Sequence, residues 1–234
     1  MALLLAAAMS LGFASLAFAQ SAQTYTAEIG ELNGSGASGT AAVTVEGNQA
    51  TVEIESAGLA PGAPHAQHIH IGGQNVCPPA SADTDGTGTI SVAEGQPFYG
   101  DIQVSLTTAG DVSADSGLAV ERMPVANADG TLSYSRTFTL PSGITAADLE
   151  GGVIVQHGID FNVNGEYDAE AGQSSIMPEL PFEATAPATC GELASSTALP
   201  DTGGVSLTMI ALTGGSALLA VALMGGYLVR RFTA

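Results

Sequence analysis

Short segments in which apolar and polar residues alternate recur along the chain, and they constrain its fold more than any other feature. Clear examples are TYTAEI at 24–29, TAAVTVEG at 40–47, QATVEIES at 49–56 and TLSYSRTFTL at 131–140. Alternation with a period of two places successive side chains on opposite faces of a β-strand. Gly-rich turns separate the segments, and no stretch shows a convincing helical period. The sequence therefore predicts an all-β fold, an antiparallel sandwich or barrel.

Four further segments complete the predicted set of strands. They lie at 66–72, 101–108 and 152–158 and near Phe182 to Thr185. Between the second and third segments of the first group, EGNQ is typical of a hairpin turn. Roughly 170 residues with this pattern are an ordinary size for one domain, which we place at residues 20–190.

Both ends of the chain are apolar and are typical of an exported protein. Residues 1–19 close on an A-x-A pattern from Ala17 to Ala19 and predict a helical signal peptide that is removed, although no Lys or Arg precedes the apolar stretch. Residues 204–229 are long and apolar enough to form a transmembrane helix. Two arginines follow this span and predict that the tail, 230–234, stays in the cytoplasm.

A short motif, LPDTG, stands just before the span, in a stalk of small residues that covers 191–203. In this order, the motif, the span and the arginine pair resemble the cell-wall sorting signal of Gram-positive surface proteins. The resemblance implies that a sortase cuts between Thr202 and Gly203 and joins Thr202 to peptidoglycan. The mature protein is then extracellular and attached to the cell wall, and the span holds only its precursor in the membrane. An ordinary single-pass anchor is the alternative.

The net charge restricts the classes of partner that the exported part can bind. The chain has 23 Asp and Glu against 4 Lys and Arg, and its formal net charge is −19. Such a surface repels nucleic acid and anionic membranes and favours divalent cations as partners. Two cysteines, Cys77 and Cys190, are predicted to form one disulfide because the chain is exported.

Three of the four histidines lie in PHAQHIHIGGQNVC, residues 64–77. His68 and His70 are two positions apart in a predicted strand, so both project from one face of it. His157 ends another predicted strand and is the third candidate ligand. Imidazoles grouped in this way suit copper or zinc, among other transition metals. His65 has the opposite parity and joins them only if a bulge intervenes. The alternative is that the histidines are structural and hydrogen-bonded.

Two acidic segments that contain glycine follow the spacing of calcium-binding loops. The first, DTDGTGTISVAE, predicts the ligands Asp83, Asp85, Thr87, Thr89 through its carbonyl group, and Glu94. The second, DFNVNGEYD, predicts the ligands Asp160, Asn162, Asn164 and Asp168, and it lacks a glutamate at the twelfth position. No flanking helix is predicted for either loop. Ordinary polar turns are the alternative, because Asp and Asn are common turn residues.

A family resemblance rests on these histidines. GLAPGAPHAQHIHIGGQNVC resembles the G-L-x-P-G…H-x-H…C segment of copper/zinc superoxide dismutases, and VIVQHG and ATCG resemble later segments of that family. The resemblance implies a Greek-key β-barrel in which His68, His70 and His157 bind copper and Cys77 pairs with Cys190. The HIHIG segment and the region around VQHGID also resemble secreted bacterial proteins of the CHRD type, a related β-sandwich.

Departures from the dismutase pattern bear on the reaction. That family uses six histidines and an aspartate, one histidine bridging copper and zinc, whereas no histidine lies between His70 and His157 here. Pro187 stands where the family has an arginine that guides the anion to copper. The acidic surface also opposes steering of superoxide. We therefore predict a wall-anchored, metal-binding surface protein that is not a fast dismutase. A copper-dependent dismutase-like enzyme and a metal-independent interaction module are the alternatives.

Overall fold

The computed structural model describes residues 21–196, which are mostly antiparallel β-structure. Two helices occur there, α1 at Val92–Tyr99 and α2 at Phe182–Thr185. The strands of the described part are β1 Gln23–Glu31, β2 Ser38–Glu46, β3 Gln49–Ala57, β4 Gln67–Gly72, β5 Gly100–Ser105, β6 Leu132–Thr139, β7 Val153–His157, β8 Pro187–Glu192 and β9 Ala194–Ser195.

The strands form one sheet in the order β5-β4-β7-β8-β1-β2-β3-β6, and β9 pairs with β1. The signal peptide, the LPDTG motif, the apolar span and the tail lie outside the described residues. Between residues 21 and 196, no helix is long and apolar enough to cross a membrane.

The alternation of apolar and polar residues correctly predicts most strands of the sheet. Each strand from β1 to β7 overlaps a segment predicted from its pattern, and these predictions are confirmed. The prediction of a strand at Phe182–Thr185 is wrong, because α2 occupies these residues and β8 follows it. The buried carboxylate of Glu183 explains the difference, since it accepts hydrogen bonds from the backbone N–H groups of Phe161 and Asp168 at 3.0 and 2.8 Å. Contacts distant in sequence therefore stabilise this helical turn.

Helix α1 was not predicted, and it follows the first acidic loop directly. Ser91 and Glu94 form a capping box, in which the Ser91 hydroxyl accepts from the Glu94 N–H group and the Glu94 carboxylate accepts from the Ser91 N–H group. The expectation that no helix flanks this loop is therefore wrong.

The sheet curls into a half-barrel, and its concave side holds the main core. The Arg136 guanidinium on β6 donates to the backbone and side-chain oxygens of Thr107, which follows β5, so the two edges of the sheet approach each other. Apolar side chains from most strands fill the concave side, among them Val43, Val52, Ile54, Ile69 and Ile154.

A second, smaller layer, called the covering layer below, lies on the outer face of β4, β7 and β8 and is formed by residues 73–99 with α1, residues 113–122 and residues 173–185 with α2. Val153 and Val155 project outward there and pack with Tyr99 of α1. A disulfide joins Cys77 in the segment after β4 to Cys190 on β8, with a Cα–Cα distance of 5.8 Å. The predicted disulfide is thus confirmed, and it ties the covering layer to the sheet.

The β domain extends beyond its predicted boundary at residue 190. Strand β8 continues to Glu192, and Ala194 and Ser195 pair with Thr26 and Tyr25 of β1. The beginning of the predicted stalk therefore belongs to the sheet, because its backbone hydrogen bonds are made with β1.

Candidate metal centre

The structure brings His68, His70 and His157 together on the outer face of the sheet. Strands β4 and β7 are neighbours, with His68 opposite Val155, and the His157 N–H group donates to the Ala66 carbonyl at 2.7 Å. The ring centroid of His68 lies 5.5 Å from that of His70 and 5.3 Å from that of His157. All three rings are buried beneath the covering layer, with exposed fractions of 2%, 2% and 4%.

Each of the three rings is oriented by one hydrogen bond to a backbone carbonyl group. The pairs are His68 Nε2 with Gly117 O at 2.8 Å, His70 Nδ1 with Gly100 O at 3.0 Å, and His157 Nδ1 with Thr185 O at 2.8 Å. A carbonyl oxygen only accepts, so these nitrogens carry the hydrogen of a neutral ring. The other nitrogen of each ring therefore presents a lone pair.

These three remaining nitrogens have no hydrogen-bond partner although they are buried. They are Nδ1 of His68, Nε2 of His70 and Nε2 of His157. One ligand atom from each ring can be chosen so that all three lie within 4.8 Å of one another. An unsatisfied buried acceptor costs about 1–3 kcal/mol, and this cluster contains three of them. A metal cation would satisfy these nitrogens, and the other half of the arrangement is typical of metal sites, in which histidines donate their second ring N–H group to a carbonyl or carboxylate.

Electrostatics keeps the rings neutral. Burial lowers the pKa of His70 to about 3 and that of His157 to about 4. Burial also lowers the pKa of His68 well below its usual value, and the neighbouring His157 and His70 add to this shift. A metal binds the neutral imidazole, so the site is in the correct protonation state at neutral pH.

The corner between α1 and β5 supports His70. Gly100 has a φ of +94°, and a Cβ atom at this position would collide with the backbone of Ile71. The Tyr99 ring packs edge-on against His70 with 4.6 Å between ring centroids, and its hydroxyl donates to the Val92 carbonyl. Sequence reasoning missed Tyr99 and Gly100, although a glycine after a helix is a recognisable end signal.

His65 is not part of the cluster. It is completely buried, and its Nδ1 and Nε2 atoms lie 2.9 and 3.1 Å from the carbonyl oxygens of His157 and Ala60. Tyr167 packs against its ring in a T-shaped arrangement. Both of its nitrogens thus face backbone oxygens, and His65 has no free lone pair directed at the other three histidines.

A cavity of about 300 Å³ opens beside the three histidines. Its walls are mainly apolar and come from several segments, including Pro64, Ala66, Val92, Ile102, Leu118, Val120, Ile176, Leu180 and Ala184. The described part of the chain contains two arginines, and neither lines this cavity. Arg122 donates to the carbonyls of Ala109 and Asp111, and Arg136 donates to Thr107 and to the Gly110 carbonyl. Pro187 lies opposite His157 in the register of β7 and β8.

The first acidic loop gathers three carboxylates. Those of Asp83, Asp85 and Glu94 have oxygens within 4.8 Å of one another. Hydrogen bonds from the Ser91 N–H group and then from Thr84 lower the pKa of Glu94 to about 2. The other two predicted ligands are close together, since the Thr87 hydroxyl donates to the Thr89 carbonyl at 3.1 Å.

The second acidic loop is arranged differently. The Asp160 carboxylate accepts from the N–H groups of Asn164 and Gly165. The side-chain amides of Asn162 and Asn164 donate to the Asp168 carboxylate at 3.0 and 2.6 Å. These two amides therefore direct nitrogen, rather than oxygen, towards the last predicted ligand.

The chain matches no protein-family model, and no curated protein matches it. The resemblances to dismutases, to CHRD-type proteins and to sorting signals stay predictions. The function is therefore inferred from the geometry of the histidine cluster and from the sequence patterns at the ends of the chain.

Proposed function

We propose that the protein is a cell-wall-anchored surface protein whose β domain binds copper or zinc through His68, His70 and His157. The observation that carries this proposal is a cluster of three buried histidines that have ligand atoms within 4.8 Å of one another, each with one ring nitrogen hydrogen-bonded to a backbone carbonyl and the other unpartnered. Three neutral imidazole nitrogens suit these two metals.

Three protein ligands leave one coordination position open. Zinc sites with this arrangement take water or a substrate at the fourth position, whereas structural zinc sites have four protein ligands. The three histidines line the apolar cavity, so a fourth ligand would come from there. The donor set therefore supports a site that also binds a small molecule, and a bound metal would supply Lewis acidity or, with copper, redox chemistry.

Metal analysis of the protein purified without added metal tests this proposal, followed by titration of the chelator-treated protein with zinc. We expect one zinc or copper ion per chain and tight binding. His70→Gln is expected to weaken binding at least about tenfold, since it removes one of three ligands and the other two cannot complete the site.

His65→Gln is the matched control, because it changes a buried histidine outside the cluster by the same substitution. This variant should keep the metal. Equal zinc affinity in the wild type and in His70→Gln would contradict the proposal, and so would the absence of metal binding by the wild type.

The strand arrangement supports kinship with the dismutase-like Greek-key barrels. The connections from β3 to β4 and from β6 to β7 pass to strands that are not neighbours in the sheet. The disulfide and the histidine pair also occur in the order that the resemblance implies. We therefore propose a dismutase-like Greek-key barrel or the related CHRD-type β-sandwich as the finer fold class.

A copper-dependent dismutase is the second candidate, since the three histidines correspond to copper ligands under that resemblance. The absence of arginine from the described lining of the cavity and the negative charge favour slow turnover. Stopped-flow decay of superoxide with the copper-loaded protein separates the candidates. Added salt should speed any residual reaction by screening the repulsion, whereas it slows a steered enzyme.

Calcium binding by the acidic loops and attachment to peptidoglycan by a sortase complete the proposal. Convergence of three carboxylates supports calcium at the first loop more than at the second. A metal-independent interaction module would leave all three histidines dispensable, and the zinc titration distinguishes it.

A further inference from the structure

We propose that the cavity beside the histidines binds a small neutral molecule with an apolar body and a single donor atom. This inference rests on the proposed metal site, since the donor atom would occupy the open coordination position. It adds the chemical class of the ligand, which metal binding alone does not determine.

The cavity is polar at the histidine cluster and mainly apolar elsewhere. His68, His70 and His157 line it with rings whose unpartnered nitrogens are buried, while Leu118 and Leu180 stand among its apolar walls. Its volume of about 300 Å³ is at the lower end of the range for small-molecule sites. A fitting occupant therefore has one polar atom at the histidines and an aromatic or alkyl body against the apolar walls.

Charge favours a neutral occupant. Both arginines of residues 21–196 are hydrogen-bonded to oxygens away from the cavity, so no lysine or arginine of this part offers a partner to a carboxylate or phosphate. Asp101 also lines the cavity and accepts from the Gln96 amide at 2.6 Å. A negatively charged ligand body would lie in apolar surroundings near this carboxylate, which is unfavourable.

Exposed apolar side chains extend the lining to the protein surface. Val120 and Ile176 both line the cavity, yet they are 38% and 44% exposed. Large exposed apolar residues are ordinary when scattered singly. Here two of them belong to one cavity whose inner end carries the histidines, so apolar surface continues from the solvent to the site.

Pyridine derivatives test the inference on the full-length, zinc-loaded chain, because they offer one neutral nitrogen at a pH near 8. Calorimetry should give 4-phenylpyridine at least about tenfold tighter binding than pyridine, since burial of a second ring adds apolar contact. Isonicotinate, which carries a carboxylate in place of the phenyl group, should bind more weakly than pyridine.

Val120→Asp and Val125→Asp form a matched pair of variants. Val120 lines the cavity, whereas Val125 is 58% exposed and does not line it. Val120→Asp should lower the affinity for 4-phenylpyridine about tenfold or more, because a charge replaces apolar wall. Val125→Asp should leave that affinity unchanged, and both variants should bind zinc as the wild type does.

Phenol and cyclohexanol, tested with the metal-free chain, separate failure of this inference from failure of the metal site. Their hydroxyl groups can donate to a free ring nitrogen of the cluster. If zinc does not bind but Val120→Asp weakens phenol binding, the metal proposal and the coordinated donor atom fail, and the binding of a neutral, mainly apolar molecule in the cavity stands. The cavity inference is overturned if zinc binds and the three pyridines bind equally. It is also overturned if neither the zinc-loaded nor the metal-free chain binds any probe.

Discussion

At the residue scale, hydrogen bonds decide how His68, His70 and His157 differ from His65. Each of the three donates to one backbone carbonyl and leaves its other nitrogen without a partner, whereas both nitrogens of His65 face carbonyl oxygens. Sequence spacing groups residues by strand face but does not show where carbonyl groups of distant segments will lie. The orientation of the rings is therefore a property of the covering layer as much as of β4 and β7.

Acidification should destabilise the metal-free protein through these buried rings. The folded pKa of His70 is about 3, below the unfolded value of about 6.5. Between these two values the unfolded chain binds more protons, so the free energy of unfolding falls as the pH drops. At pH 5 the loss is about 2 kcal/mol from His70 alone.

Urea unfolding of the chelator-treated wild type and of His70→Gln, each at a pH near 7.5 and near 5, measures this contribution. Several carboxylates also have lowered pKa values, but their contribution is common to both proteins. The pH dependence of His70→Gln should be smaller by about 2 kcal/mol. Equal pH dependence in the two proteins would show that His70 is not buried in its neutral form.

At the scale of elements, the corner from α1 to β5 links the fold to the site. Gly100→Ala adds a Cβ atom against the backbone of Ile71 and forces a non-glycine residue to a φ of +94°. We expect a loss of about 1–3 kcal/mol beyond the φ penalty alone. Zinc affinity should fall at least about tenfold, because the Gly100 carbonyl orients His70.

Gly143→Ala is the control for the backbone penalty. Its φ is +90°, and a Cβ atom there meets no other atom within 4 Å. This variant should lose about 1 kcal/mol of stability and no zinc affinity. If Gly100→Ala binds zinc as tightly as Gly143→Ala does, the corner does not support the site.

The first acidic loop gives a separate prediction about calcium. An affinity on the order of 10⁻⁴–10⁻³ M is typical of extracellular modules, so calcium at about 10 mM should stabilise the protein by about 1–3 kcal/mol. Asp85→Asn should reduce this stabilisation, and Asp129→Asn, a turn residue elsewhere, should not. Identical thermal shifts in both variants and in the wild type would place any calcium effect outside this loop.

Elements with strong alternation could be predicted from sequence, and elements built by distant contacts could not. Strands β1 to β7 follow their apolar pattern, whereas α2 depends on hydrogen bonds that the Glu183 carboxylate accepts from the backbone N–H groups of Phe161 and Asp168 in the second acidic loop. Helix α1 is short, and its capping box of Ser91 and Glu94 was the local signal available. Glu94 also occupies the twelfth position of the calcium-loop pattern, so one carboxylate fits two sequence patterns.

At the scale of the whole molecule, the disulfide holds part of the covering layer against the sheet. Cys77 and Cys190 are 113 positions apart, and their bond fixes the segment after β4 on the outer face. Pairing of Cys77 with Cys190 could be predicted from the sequence, because the chain has two cysteines and its end patterns predict export. The cavity could not be predicted from the sequence, because its walls come from segments that are far apart in sequence and lack a recognisable motif.

Attachment to the cell wall is a prediction about the molecule as a whole. In a host with a sortase, Thr202→Ala should move the protein from the wall fraction to the membrane fraction, since the motif then no longer offers the threonine carboxyl for transfer. Asp201→Ala is the control, because it changes the neighbouring position and leaves Thr202 and Gly203 in place. Immunoblots of the two fractions measure this shift, and unchanged wall attachment of Thr202→Ala would contradict a sorting role.

X-ray absorption spectroscopy of the zinc-loaded protein tests the central claim most directly. The account predicts three imidazole nitrogens at about 2.0–2.1 Å and one further light atom in the open position. In His70→Gln the imidazole contribution should decrease or the zinc should be lost. A coordination shell of oxygen atoms without imidazole, or the same three-imidazole shell in His70→Gln, would contradict the assignment of His68, His70 and His157 as the metal ligands.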